Sequence, residues 1–166
     1  MQQRLVVAAL LAMTACGGTV NALEGPSAVR PEDAGIRALI ATGLERSVTF
    51  RELSARLDTG DVVVYVRSSP CTGGVPACLI WATAGPGPRR LLIKLDRFGR
   101  SPDELTALLA HELQHANEVA SAKDIIDLAS FQKSFASRGR KNSAGYETEA
   151  AAAITRKVAS ELARSR

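Results

Sequence analysis

The sequence predicts an α+β domain, with helices toward both ends of the chain and a small sheet between them. Three observations carry this. Apolar residues recur at helical spacing before residue 58 and again after residue 101. Between them, "DVVVYVRS", "CLIWATAG" and "RRLLIKLD" are short runs rich in β-branched and apolar residues. Those runs are bounded by "TGD", "PCTGGVP" and "GPGP", residue types that interrupt regular structure.

Taken in order, the first 22 residues read as an export signal. Arg4 precedes an apolar run from Leu5 to Ala15 that is too short to span a bilayer. Two processing points stay open. Small residues before Cys16 in "MTAC" resemble a lipobox, which would lipidate Cys16. Alternatively, "VNA" at Val20 to Ala22 would release a chain beginning at Leu23. The protein is therefore expected in a bacterial periplasm or envelope, held to the membrane only through a lipid on Cys16, or else secreted. Residues 23–166 are expected to form one domain, a length sufficient for a single core.

"GPSAVRPED" reads as a tether. The spacing of Ile36, Leu39, Ile40 and Leu44, then Leu53 and Leu57, predicts one or two helices over 32–57. The three apolar runs follow as strands. Their connections are too short for helical crossovers, so a small antiparallel sheet is expected. Trp81 and Phe98 are expected in the core. Cys71 and Cys78 flank a Gly/Pro-rich turn and are the pair left once Cys16 is assigned to the signal. A disulfide between them suits an oxidising compartment and would contribute about 2–3 kcal/mol.

From Ser101 onward the chain reads helical. Ser101 as N-cap, Pro102 in the first turn and Glu104 as the capping-box partner start a helix expected to end near Ala122. "KDIIDLASFQKSF" predicts a second helix, "ASRGRKNSAG" a loop, and Tyr146 to about Ala163 a last helix. The net charge is +4, but the basic residues are scattered and aromatic content is only 4%. Few rings are available for stacking on bases, so no nucleic-acid partner is expected.

The chemistry concentrates in "LLAHELQHANEV". His111 and His115, the only two histidines of the chain, stand one helical turn apart, and Glu118 shares their stripe. Glu112 falls inside the apolar arc formed by Leu105, Leu108, Leu109, Ala116 and Val119. A carboxylate there needs a reason, because burying one unpaired is costly. One turn of helix brings two imidazoles to a single tetrahedral zinc ion at about 2.0–2.1 Å each. The adjacent glutamate can then act as general base toward a water activated by that ion. As a bare pattern, H-E-x-x-H also arises by accident.

A third ligand is required, and no histidine remains. In "GYETEAAAAITRKV", read as helix, Glu147 shares the apolar stripe of Ala150, Ala151, Ile154 and Val158. Glu149 lies about 200° away on the polar side. Glu147 is therefore the expected ligand, with Glu118 and Glu149 as alternatives or as residues that orient the histidines. The other reading of Glu147 is a helix-start residue complementing the dipole.

"HELQH" followed by "YETEAA" resembles the zincin metallopeptidases, and within them the gluzincin-like group whose third ligand is a glutamate on a later helix. The resemblance covers roughly residues 91–153. Glu147 and Ala150 match the E-x-x-A part of that group's second motif, whereas Ala151 stands where Asp or Asn is usual; Glu118 or Asn117 is the candidate replacement. The resemblance implies one Zn²⁺ per chain, a peptide or protein substrate, and a sheet packed on the motif helix with one strand bordering the cleft. "RRLLIKLD" is a candidate for that wall. It also implies an oxyanion-steadying side chain, for which Tyr146 is the candidate tyrosine. Two further readings use the same residues: a non-catalytic zincin-like envelope lipoprotein with structural zinc or a partner-binding role, and hydrolysis of a non-peptide amide.

Overall fold

A computed structural model describes residues 27–82, 87–142 and 145–165. The expected export signal, Cys16 and both processing points lie outside these residues. No helix among the described residues is long and apolar enough to cross a membrane.

The fold is α+β. A short strand β1 (Val29–Pro31) leads into helices α1 (Ala34–Arg46) and α2 (Val48–Asp58). Strands β2 (Val62–Ser68), β3 (Ala77–Trp81) and β4 (Arg89–Leu95) follow, then the long helix α3 (Pro102–Ser121). Helix α4 (Leu128–Arg138), a hairpin of β5 (Arg140–Asn142) and β6 (Gly145–Glu147), and helix α5 (Glu149–Arg164) complete the chain. The expected capping box on α3 is present, with Ser101 accepting from the Glu104 amide and Glu104 accepting from the Ser101 amide.

The sheet is mixed rather than antiparallel. Its order is β1-β2-β4-β3, with β1, β2 and β4 parallel and β3 antiparallel to β4. The short connections predicted the wrong neighbours. β3 is itself the return leg between β2 and β4, so those two strands run parallel without a helical crossover. β1 lies within the expected tether. It forms because α1 and α2 carry the chain back to the edge of β2, where Val29 is buried opposite Val64.

Alternation along β2 and β4 turns Val62, Val64, Val66, Leu91, Ile93 and Leu95 inward. They meet Phe50, Leu53 and Leu57 of α2 and Leu105, Leu109, Leu113 and Ala116 of α3 in one hydrophobic cluster. Trp81 packs against this cluster, but Phe98 does not. It is 89% exposed, at a turn where Gly99 takes φ +70°, and so projects into solvent instead of joining the core as expected. The sulfurs of Cys71 and Cys78 are 2.10 Å apart, tying the start of β3 to the loop before it.

The C-terminal end of α3 is held by a charge. Arg89, at the start of β4, is 9% exposed and donates to the carbonyls of Val119, Ala120, Ala122 and Ile125 and to the Asp61 carboxylate. Val119 and Ala120 belong to the last turn of α3, Ala122 is its C-cap and Ile125 lies in the turn beyond, where carbonyls outnumber the backbone amides that can reach them. The Arg89 guanidinium beside Asp61, helped by Lys123, holds that carboxyl at about 2 against the opposing effect of burial. Asp61 itself is half exposed, so the ion pair adds little; the buried carbonyls carry the effect. Arg89→Met is expected to lower the unfolding free energy by about 3 kcal/mol, because buried acceptors lose their donors. Urea denaturation checks this; a change below about 1 kcal/mol would mean that water replaces the guanidinium.

Candidate metal centre

α3 presents His111, Glu112 and His115 toward a cavity of about 210 Å³. Its floor is this helix; β3 contributes Ala77, Cys78 and Leu79, α4 contributes Phe131, Gln132 and Phe135, and β6 contributes Tyr146 and Glu147. The sheet's share of the wall is thus β3, an edge strand, and not β4, which is interior. Among the described residues no strand pairs with the outer edge of β3.

Glu147 reaches the site from a strand. The helix expected from Tyr146 begins instead at Glu149, with Thr148 as N-cap accepting from the Ala151 amide. The stripe shared with Ala150 and Ile154 therefore does not exist. Thr148 was the legible signal, since threonine is a preferred N-cap residue. Helix α4 also starts later than expected, at Leu128, because Asp127 caps it while buried Ile125 anchors the preceding turn. The loop expected over 136–145 contains the β5–β6 hairpin. Gly139 lets that hairpin close on α4: a Cβ there would lie 2.9 Å from the Tyr146 Cβ and 3.2 Å from the Glu147 nitrogen.

The ligand atoms of His111, His115 and Glu147 all lie within 4.8 Å of one another, so the three could hold a metal ion. Hydrogen bonds assign the tautomers. Thr155 Oγ1 donates to the Ala151 carbonyl at 3.2 Å, so it accepts from Nδ1 of His111 at 2.8 Å. Glu118 Oε2 lies 3.1 Å from Nδ1 of His115 and, as a carboxylate, accepts from it. When the rings are neutral, Nε2 of each therefore keeps its lone pair. Nε2 of His111 faces Glu147 Oε2 at 3.4 Å, and the buried Glu147 Oε1 has no hydrogen-bond partner among the described residues. Acceptors that converge in this way suit a cation between them.

Electrostatics around the trio follow from burial. Burial, followed by the charge of His115, pushes His111 down to about 4, so its contact with Glu147 is not an ion pair at neutral pH. Burial opposes charge on His115, but the Glu118 hydrogen bond and nearby carboxylates outweigh it and raise its pKa. Burial raises the Glu147 carboxyl, with Glu118 adding to the effect and His115 opposing it. Glu112, 5% exposed, is raised to about 7, first by burial and further by Glu147, with His115 opposing.

Of the alternatives, Glu118 orients rather than converges. Its second oxygen accepts from Thr148 Oγ1 at 2.8 Å and from Gln114, which joins His115 to the residue beside Glu147. Asn117 points elsewhere, donating to the carbonyls of Leu53 and Leu113. Glu149 is exposed at the first turn of α5 and outside the trio. Tyr146 lines the cavity at 37% exposure. Sequence reasoning missed Thr155: a lone threonine on a helix carries no signal until α5 is packed on α3. Glu118→Ala is expected to weaken metal binding about 10–100-fold while helix content is unchanged, since His115 loses the acceptor that fixes its ring. Competitive zinc titration with circular dichroism reads both.

Comparison with protein-family models, with curated proteins and with solved structures finds no match to this chain.

Proposed function

We propose that this chain is an exported zinc-dependent metallopeptidase with a zincin-like site. The observation that carries the reading is the convergence of two Nε2 lone pairs and an unpartnered carboxylate oxygen beside a buried glutamate. His111, His115 and Glu147 would hold the ion. Zinc, when bound, supplies a Lewis acid that polarises a carbonyl and brings the pKa of a water down to roughly 7. Glu112 takes the proton from the attacking water and gives it to the leaving amine. Thr155 and Glu118 keep the imidazoles in the tautomer that ligation requires.

Substrate positioning is the role of β3. Its outer edge, with which no strand among the described residues pairs, borders the cavity and offers backbone donors and acceptors to an extended peptide. The Cys71–Cys78 bridge holds the start of that strand and fits an oxidising compartment, which supports export. A zinc ion serving only as a staple would need no buried base beside it, so Glu112 favours catalysis over the structural-zinc reading.

Metal analysis together with a peptide-library screen tests the proposal. The folded protein is expected to bind about one zinc per chain and to cleave peptides in a way that a chelator abolishes and added zinc restores. A folded sample that takes up no zinc overturns the proposal. One that binds zinc and cleaves nothing leaves only the structural or partner-binding role.

A further inference from the structure

We infer that the loop between β4 and α3 is a membrane contact. Phe98 enters the interface of a bilayer, and Arg97 and Arg100 meet its anionic phospholipid headgroups. The contact is independent of the metal site and shares with the proposed function only the expectation of export.

A single exposed apolar residue is ordinary. Phe98 is distinguished by the turn that holds it out. Its amide donates to Asp96 Oδ1 at 3.1 Å, and Nη1 of Arg100 donates to the Asp96 and Phe98 carbonyls at 3.1 and 2.9 Å. Gly99, at φ +70°, lets the chain turn directly after the ring. The 89% exposure of Phe98 is thus the product of a tied turn. Apolar surface that the ring could cover is close by. The adjoining groove of about 530 Å³, which Phe98 borders, has Leu39, Pro70 and Leu105 in its lining.

The charge around the ring is positive. Arg97 and Arg100 both line the groove, and Asp96 is the one carboxylate in its described lining. That carboxylate is engaged, accepting from the Phe98 amide and lying 3.6 Å from Arg100. Arg97 is 45% exposed; among the described residues its carboxylate neighbour is Asp33, 4.0 Å away. A guanidinium has five donors, so several remain for a phosphate.

A bilayer fits these features better than a protein does. A protein partner would need about 800 Å² of complementary surface on this side. The other large apolar side chains exposed among the described residues are Leu44, Val48, Ile126, Leu128 and Tyr146, and none of them lines this groove. One ring between two cations suits a surface that yields to the ring and carries negative charge. The net charge of +4 has the matching sign. Length agrees as well. Ten residues, 17–26, would join a lipid on Cys16 to the described chain, and ten residues reach about 35 Å. Phe98 lies past the end of the sheet opposite Ser27, and the seven residues of β4 span about 23 Å. Anchor and loop can therefore meet one bilayer.

The test follows the loop itself, so it holds whether or not the N-terminal segment also reaches the membrane. Phe98→Trp is made in the full chain, with the partly buried Trp81 as a constant background. Emission is recorded on vesicles of acyl-brominated phosphatidylcholine, with or without an equal part of phosphatidylglycerol. Flotation reports how much protein the vesicles carry. On the anionic vesicles the Phe98→Trp chain is expected to be quenched more strongly than the wild type. Adding Arg97→Gln is expected to raise the lipid needed for half the effect about fivefold, and raised salt to act in the same direction. Arg100 is left in place because it ties the turn. Equal quenching of the two chains on vesicles that carry them overturns the contact and leaves Phe98 to a protein partner. Failure to float with anionic vesicles overturns it too. Quenching that is as strong on phosphatidylcholine alone, or unchanged by Arg97→Gln, overturns the assignment of anionic headgroups.

Discussion

Glu112→Gln is expected to leave zinc binding intact and to lower peptide hydrolysis by about 10²–10⁴-fold, the usual contribution of a positioned general base. Glutamine has nearly the same volume and shape, so the packing around this 5% exposed side chain is kept. What changes is the ability to accept a proton. The proposed ligand set of His111, His115 and Glu147 is untouched, so metal content separates loss of chemistry from loss of the site. Turnover at fixed zinc occupancy is the measurement. Unchanged turnover would remove Glu112 from the reaction, and loss of zinc would mean that Glu112 holds the site together.

Glu147→Ala has the complementary signature. Zinc affinity is expected to fall by more than the roughly 10–100-fold that loss of an orienting partner produces, and hydrolysis to fall with it. The metal-free protein should respond differently. With the metal removed, Glu147 would keep Oε1, a buried oxygen with no hydrogen-bond partner among the described residues, and Oε2 would face the Nε2 lone pair of His111. Removing that carboxylate relieves an unfavourable burial. Calorimetry in chelator is therefore expected to find the variant at least as stable as the wild type, whereas with zinc the wild type is the more stable. A variant that is less stable in chelator as well would make Glu147 a structural residue. Full zinc retention would transfer the third-ligand role elsewhere.

Much of the site was legible because its central part is local. His111, Glu112 and His115 lie within two turns of one well-capped helix, where spacing alone decides which side chains share a face. The burial of Glu112 followed from its place in the apolar arc. Glu147 is a different case. It was selected by a helical stripe that does not exist, since the residue sits on β6, and it reaches the histidines through the hairpin and the Thr148 cap. The residue type and the need for a third ligand pointed to it; the supposed geometry did not.

The sheet divides in the same way. Short runs rich in β-branched and apolar residues, bounded by turn residues, identified three of its strands, because both signals are local. Strand order is not. Whether β2 pairs with β3 or with β4 depends on which arrangement buries Val64, Val66, Leu91 and Ile93 against α3, and no short stretch of sequence carries that comparison.

By itself, then, the sequence determined the α+β class, the capped motif helix, the pairing of Cys71 with Cys78 and the residues offered to a metal. The helix, the disulfide and the placing of His111, Glu112 and His115 on one face follow from spacing within about 20 residues, whereas Glu147 was reached through residue type and the need for a third ligand. Only the tertiary structure decided that β3 is the edge strand beside the cavity, that Thr155 and Glu118 fix the imidazole tautomers, and that Phe131 and Phe135 wall the site. Those relations join residues distant in the chain. The packing of α4 and α5 against α3 and the sheet creates them, and packing free energy depends on the whole set of surfaces that must be buried together.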